Sequence, residues 1–286
     1  MFDTKTTEFI LIDDGSRDKT GEFLRRIQER KRDFDINIFL NKNIGQARER
    51  NFGLKQANGE FIFFLDSDDI INKIELEKIY KYFKNNYNKK DLFIFGYSKV
   101  VNGIQNNRTL DRYIDDKDEI IRLFFEYKKD PIGGYVWNKI IKKELTVNIE
   151  FADMKYEDVP FIFSILNKAT SVIYLPIDGY HYLYHEESTV NVITNNLILD
   201  RIESLEMVSG AINNNNKLEN IFFAYEVNAL IYLWRRADNP KIRIPIVKYL
   251  NSFSWMRIMI NRQIIVKNKI KYLLILLKNI RFWRVS

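Results

Sequence analysis

Apolar and polar positions divide the first part of the chain into short apolar runs separated by amphipathic stretches. Ile10-Leu11-Ile12 runs into Asp13-Asp14-Gly15-Ser16, and from about Asp18 onward Phe23, Leu24 and Ile27 fall on one helical face. A second run at 36–39 is followed by a Gly-punctuated helical segment opened by Asn43-Ile44-Gly45, carrying Arg50-Asn51-Phe52-Gly53 and closed by Asn58-Gly59. That segment delivers Phe61-Ile62-Phe63-Phe64-Leu65, which stops at Asp66-Ser67-Asp68-Asp69. The strand–helix–strand–helix–strand order predicts a parallel sheet flanked by helices. The unbroken apolar run before Asp66 fits an interior strand of such a sheet.

Further along, Leu76, Ile79, Tyr80 and Phe83 predict a helix within 71–87, 91–97 reads as a strand, the polar stretch 102–108 as a turn or hairpin, and 115–127 as helical. Helical spacing returns at Ile198, Ile202, Leu205 and Ile212, breaks at Asn213-Asn214-Asn215-Asn216, which reads as a turn, and resumes over 218–236. No long-period repeat is present.

Two apolar strands thus end in acid at one sheet edge, where open α/β sheets collect ligands. Carboxylates crowded there repel one another unless a cation sits between them. Asp-x-Asp spacing suits Mg²⁺ or Mn²⁺, which takes one or two carboxylates and fills its shell with substrate phosphate oxygens and water. A solvated turn after a strand is the plainer alternative.

The succession of Asp-Asp-Gly-Ser, Gly45 through Arg50-Asn51-Phe52-Gly53, and Gly59-Glu60-Phe61 into Leu65-Asp66-Ser67-Asp68-Asp69 resembles the family 2 glycosyltransferases. Val136-Trp137-Asn138-Lys139, Tyr156-Glu157-Asp158-Val159 and Tyr180-His181-Tyr182 through Ser188-Thr189 resemble the acceptor-side and closing segments of that family, so the likeness runs over roughly residues 8–190. It implies a GT-A-type, mostly parallel α/β sheet flanked by helices over 1–190, with a helical, basic C-terminal region over 191–286. It also implies an inverting, metal-dependent hexosyl transfer from a nucleotide-sugar, taken as a UDP-sugar, to a cell-surface or lipid-linked glycan acceptor. Family members begin with a further apolar strand and helix for which residues 1–8 leave no room. The resemblance therefore implies that 9–12 and 61–65 are separated by a gap or paired across it, and that this chain alone is poorly stable, weakly active or a noncatalytic relative.

Carried over residue by residue, Asp68 is the expected metal ligand, Asp66 lies by the ribose or joins the metal through water, and Asp69 is a further ligand or a helix N-cap. Asp14 accepts from the uracil ring, Asp13 is structural, and Arg50 pairs with diphosphate oxygens or is a surface helix arginine. Asp158 is the general base, or with Glu157 an N-terminal cap of the helix that follows. Glu157 positions the acceptor or a metal-linked water, Trp137 stacks on an acceptor sugar or lies in the core, and His185 closes over the metal or is a surface histidine. Leu183 stands where many relatives carry arginine, so that diphosphate contact is absent or made by another group.

Charge placement adds one element. Of a net charge of +7, residues 241–286 supply 11 Lys and Arg and no acid, leaving 34 basic against 38 acidic residues elsewhere. Ile270, Leu273, Leu274, Leu277 and Ile280 fall at helical spacing among Lys267, Lys271, Lys278, Arg281 and Arg284, with Trp255, Phe282 and Trp283 as interfacial aromatics. This suits peripheral contact with an anionic membrane surface, or else an amphipathic helix packed on its own domain. Nucleic acid is disfavoured because the basic region is aliphatic and holds no recognised binding module. A nucleotidyltransferase is disfavoured by the lack of a Gly-rich, Lys-bearing loop near the start. With no cysteine, no apolar run of spanning length and no leader pattern, the expected setting is the cytoplasm, at the cytoplasmic membrane.

Overall fold

A computed structural model describes residues 6–29, 35–126, 131–185, 193–212 and 216–282, the side chains of 216 and 278–282 excepted. Two compact units result, Met1–Ile120 with Gly134–Tyr184, and Ile121–Gly133 with His185–Ser286.

In the first unit, β1 (Glu8–Asp14) pairs in parallel with β2 (Asp35–Asn41), and α1 (Thr20–Glu29) makes the crossover. The chain continues through α2 (Gln46–Gln56), β3 (Phe61–Phe63), β4 (Ile70–Ile71), α3 (Lys73–Lys84), β5 (Leu92–Val101), β6 (Ile104–Asn107), α4 (Lys117–Phe124), β7 (Lys139–Lys142), α5 (Asp158–Lys168) and β8 (Val172–Leu183). These strands order as β3-β7-β5-β8-β4, with β6 paired to β5. The sheet is mixed: β5 and β8 run parallel, while β3–β7, β5–β7, β4–β8 and the β5–β6 hairpin are antiparallel. The hairpin turns on Asn102 and Gly103, both at positive φ (49° and 78°), as a tight two-residue turn between twisted strands requires.

The acidic strand departs from the sequence expectation. β3 is an edge strand of three residues, antiparallel to β7, and not an interior parallel strand. Its run is half-buried and Leu65 is 54% exposed. The reason is that among the described residues β3 has a strand partner, β7, on one side and none on the other. β1 belongs to a separate two-stranded sheet, so 9–12 and 61–63 are apart, which is the first of the two arrangements expected for the missing lane. α1 correspondingly buries none of its residues, and Phe23 is 57% exposed.

The core of this unit lies where β5 meets β8. Leu92, Phe93, Ile94 and Phe95 are wholly buried, and Leu76, Ile79, Trp137, Ile173, Leu175 and Tyr180 pack with Phe93 and Phe95.

The second unit contains α6 (Asn195–Ala211), α7 (Asn216–Arg236), α8 (Pro240–Asn251), α9 (Trp255–Ile260) and α10 (Val266–Phe282). Thr194 caps α6 by accepting from Leu197 N, and Asn239 followed by Pro240 starts α8. Val227, Leu230 and Ile231 of α7 are fully buried, and Asn228 accepts from Asn268 Nδ2 at 2.8 Å, joining α7 to α10. α10 carries two apolar faces: Tyr272 and Ile275 are buried, whereas Val266, Ile270, Leu273, Leu274 and Leu277 are exposed. Residues 213–215, 188–189 and 283–286 lie outside the described residues, and with them most of the Asn turn, Ser188-Thr189, Trp283 and Arg284.

Candidate active site

The first unit gathers its acids around one arginine. α2 presents Arg50 and Asn51 toward the segment that precedes α5. Asn51 binds Phe151 reciprocally, its Nδ2 donating to the carbonyl and its Oδ1 accepting from the amide, both at 2.8 Å. Phe151 stacks on Phe161 with centroids 3.8 Å apart, and Phe64, next to the acidic motif, meets both rings edge-on. Over this aromatic floor lies the Arg50 guanidinium, 5.6 Å from the Phe151 centroid.

Arg50 Nη1 donates to Glu157 Oε1 at 2.9 Å and to Asp158 Oδ1 at 2.5 Å, while Nη2 donates to Asp66 Oδ1 at 3.0 Å. Tyr156, at φ 63°, adopts the left-handed conformation that side chains rarely take, immediately before the two acids. α5 has no side-chain N-cap bond, so Glu157 and Asp158 are not its caps; their carboxylates go to Arg50. One cation faces three acids here. Burial pushes Asp158 up to about 7 against the pull of Arg50, with Glu157 and Asp66 adding repulsion and Lys139 a weaker attraction. Glu157 is raised by the same burial against the pull of Arg50. Burial works against the charge on Arg50, but Asp158, Asp66 and Glu157 outweigh it and keep the guanidinium protonated.

The sequence placed Arg50 on diphosphate oxygens or on a free helix surface. Its side chain is only 10% exposed and paired with three carboxylates, so it is not a free surface arginine. Asp14 is also engaged, its Oδ1 accepting from Ile44 N at 2.6 Å and its Oδ2 from Gly45 N at 3.0 Å, which pins the loop that opens α2. Both oxygens expected at a uracil ring therefore serve backbone amides, because Gly45 at φ 96° turns those amides toward the end of β1. Asp13 is buried and accepts from Ser16 N, as a structural residue should.

Asp69 is neither a free ligand nor a cap. Tyr180 Oη donates to it at 2.7 Å and Leu183 N at 2.8 Å, burial pushes it up to about 6 despite those bonds, and the cap of α3 is Asn72. Tyr180 also accepts from Asp66 N at 3.3 Å, so β8 clamps both ends of the acidic loop. Trp137 is 3% exposed, stacked between Tyr135 (4.7 Å) and Tyr180 (4.3 Å). With both faces covered it offers nothing to an acceptor sugar; it backs Tyr180 instead. Lys139, wholly buried, donates to Tyr135 O at 2.6 Å and Asn138 Oδ1 at 2.7 Å. The sequence did carry a signal for Tyr180, since strand alternation sets it and Tyr182 on one face. It carried none for the partners of Arg50.

Asp68 is exposed in the turn that follows β3, without a hydrogen bond to the described residues. No group of three His, Asp or Glu side chains able to enclose an ion occurs among the described residues. The donors present fit the mode in which a single carboxylate holds a hard cation and substrate oxygens and water complete its shell. His185 is exposed and falls in the second unit.

Residues 3–144 match the family model for Glycosyl transferase family 2. A cholesterol galactosyltransferase of Borreliella burgdorferi is 29% identical over 236 residues, covering 77% of this chain and 64% of that protein, so the chain spans less than two thirds of that relative. Among solved structures, S. aureus TarS 1-349 in complex with UDP-GlcNAc matches with a TM-score of 0.63 at 18% identity, over 95% of this chain and 81% of that one. The mannosyltransferase PcManGT from Pyrobaculum calidifontis, in complex with GDP-Man and Mn²⁺, matches with a TM-score of 0.50 at 13% identity, over 88% and 68% of the two chains. The two structures share their fold with this chain, and the family match covers the strands that carry its acidic motifs: the chain belongs to glycosyl transferase family 2 and has a GT-A-like fold with C-terminal helices.

Proposed function

We propose that the chain is an inverting glycosyltransferase that moves a hexose from a UDP-sugar to a glycan or lipid-linked glycan acceptor, with Asp158 as general base. The observation that carries this reading is the placement of Asp158. It is a carboxyl pushed up to about 7 by burial, at the start of α5, tied through Arg50 to Asp66 at the end of β3. A base whose pKa lies near the working pH is both deprotonated often enough and basic enough to take a hydroxyl proton. In the step, the acceptor O–H gives its proton to Asp158 and its oxygen bonds to the anomeric carbon. The bond from that carbon to the diphosphate breaks, and its electrons leave with UDP. Attack opposite the leaving group inverts the centre.

Asp68 would hold a divalent cation, Mn²⁺ or Mg²⁺, whose chemistry is to offset charge on the diphosphate. The uridine donor is supported by TarS, solved with UDP-GlcNAc, and Mn²⁺ by PcManGT, solved with that ion. The uncovered stripe Val266, Ile270, Leu273, Leu274 and Leu277, in a region without acids, supports peripheral attachment to an anionic membrane. No helix among the described residues is long and apolar enough to cross a bilayer. Incubation with a panel of UDP-sugars and glycan acceptors tests the reading through UDP release and the anomeric configuration of the product. Product of retained configuration, or no UDP release from any donor with Mn²⁺ present, would refute it, and the second result would favour the noncatalytic alternative.

A further inference from the structure

We propose that Arg50 is a positioning residue for the acceptor base, coupling it to the donor end of β3, and that it does not bind the diphosphate. The proposal rests on the functional reading above, in which Asp158 is the base. Its geometry is that of a bridge. One guanidinium nitrogen takes both acids at the start of α5, Glu157 just before it at 2.9 Å and Asp158 at 2.5 Å, and the other takes Asp66 at 3.0 Å. A planar fork with fixed donor directions can hold three carboxylates from two elements at set angles; an ammonium cannot. The arginine is itself held, with its side chain 10% exposed, its guanidinium over Phe151 and its neighbour Asn51 fastened to the Phe151 backbone. A diphosphate reaching it would have to displace three acids and enter their combined negative field.

Asp66 is common to both sides. Its backbone amide is held by Tyr180 and its carboxylate by Arg50, so a change at the end of β3 is transmitted to Asp158 through one side chain. Displacing a base by about 1 Å costs roughly 100-fold in rate. Loss of the bridge should therefore appear in kcat and spare donor affinity.

Arg50→Lys is the test, since it keeps the charge and removes the fork. The expected result is a fall in kcat of about 100-fold, with the donor KM and the calorimetric affinity for UDP within about threefold of the parent. Carboxyl ¹³C NMR supplies a readout that needs no turnover: the Asp158 signal should titrate at higher pH in Arg50→Lys, because the offsetting cation has moved away. A tenfold rise in donor KM with kcat kept would make Arg50 a diphosphate ligand and overturn the proposal. An unmoved Asp158 titration would overturn it as well. Should Arg50→Lys fail to fold, Arg50→Gln, a neutral donor of smaller reach, is read in the same two ways. If the parent releases no UDP, the functional reading fails, and the NMR titration still decides whether Arg50 governs Asp158.

Discussion

Asp158→Asn should slow transfer severely and at the same time stabilise the chain above neutral pH. Burial holds the Asp158 proton up to about pH 7, against an ordinary 3.8. If the deprotonated carboxyl is the reacting base, kcat/KM should reach its plateau near pH 8, fall to about a tenth of it at pH 6, and drop a further tenfold by pH 5. Between 3.8 and 7 the folded chain keeps a proton that the unfolded chain releases. The contribution of this group to stability is therefore full below 3.8 and is lost as pH rises through 7. The span corresponds to an upper bound of about 4 kcal/mol, reduced by the repulsion shared with Glu157. Arg50 would not be orphaned by the substitution, since Glu157 and Asp66 still hold it at 2.9 and 3.0 Å. Asp158→Asn should then lower kcat by about 100- to 10,000-fold, leave UDP affinity intact, and raise the melting temperature at pH 8 by several degrees. UDP release across pH 5 to 9, calorimetry and thermal melting measure the three effects. Transfer near the parental rate, or an acidic limb centred near 4, would remove Asp158 from the mechanism.

Asp68→Asn should weaken Mn²⁺-dependent UDP binding by at least tenfold, about 1.4 kcal/mol, since it removes the one exposed carboxylate in the turn that follows β3; unchanged metal-dependent affinity by calorimetry would reject the ligand. In the second unit Glu226 is 4% exposed and pushed up to about 7 by burial, against the bond from Tyr249 and the charge of Arg257. Its contribution to stability is present below 4.5 and lost as pH rises through 7, so Glu226→Gln should raise the melting temperature at pH 8 and leave it unchanged at pH 4; a lower value at pH 8 would refute this. Replacing exposed Ile270, Leu273, Leu274 and Leu277 together by Ser should release the chain from anionic vesicles in a sedimentation assay while its helical circular dichroism persists, and binding that survives would place membrane contact elsewhere. Deleting α10 is a poorer test, because Asn268, Tyr272 and Ile275 on its other face are buried.

What the sequence could disclose follows from which interactions are local. Strand and helix order were readable because apolar periodicity is written in consecutive residues, and the Asn102-Gly103 hairpin because its backbone conformation demands those residue types. The acids and the family likeness were readable for the same reason. Pairing was not: the run 61–65 looks the same whether its neighbour is an interior strand or an empty lane, and only the sheet order shows β3 at an edge. α10 shows the same limit from the other side, since helical spacing predicted its apolar residues without saying that Tyr272 and Ile275 face inward while Leu273 and Leu274 do not.

The reassignments within the site share one cause. Asp14 was expected to meet substrate, Arg50 to meet it or lie on a helix surface, and Trp137 to meet it or lie in the core, and each already has its partners within the protein: Ile44 and Gly45 for Asp14, three carboxylates for Arg50, two tyrosine rings for Trp137. The partners of Arg50 at the start of α5 lie 107 and 108 residues away, beyond the reach of any spacing rule. A charged side chain can be buried only where opposite charge and hydrogen bonds meet it. The burial of Arg50 therefore requires an acidic cluster from elsewhere in the chain, and burial of that same cluster, with repulsion from Glu157 and Asp66 added, raises Asp158 into the range where a carboxylate serves as a base.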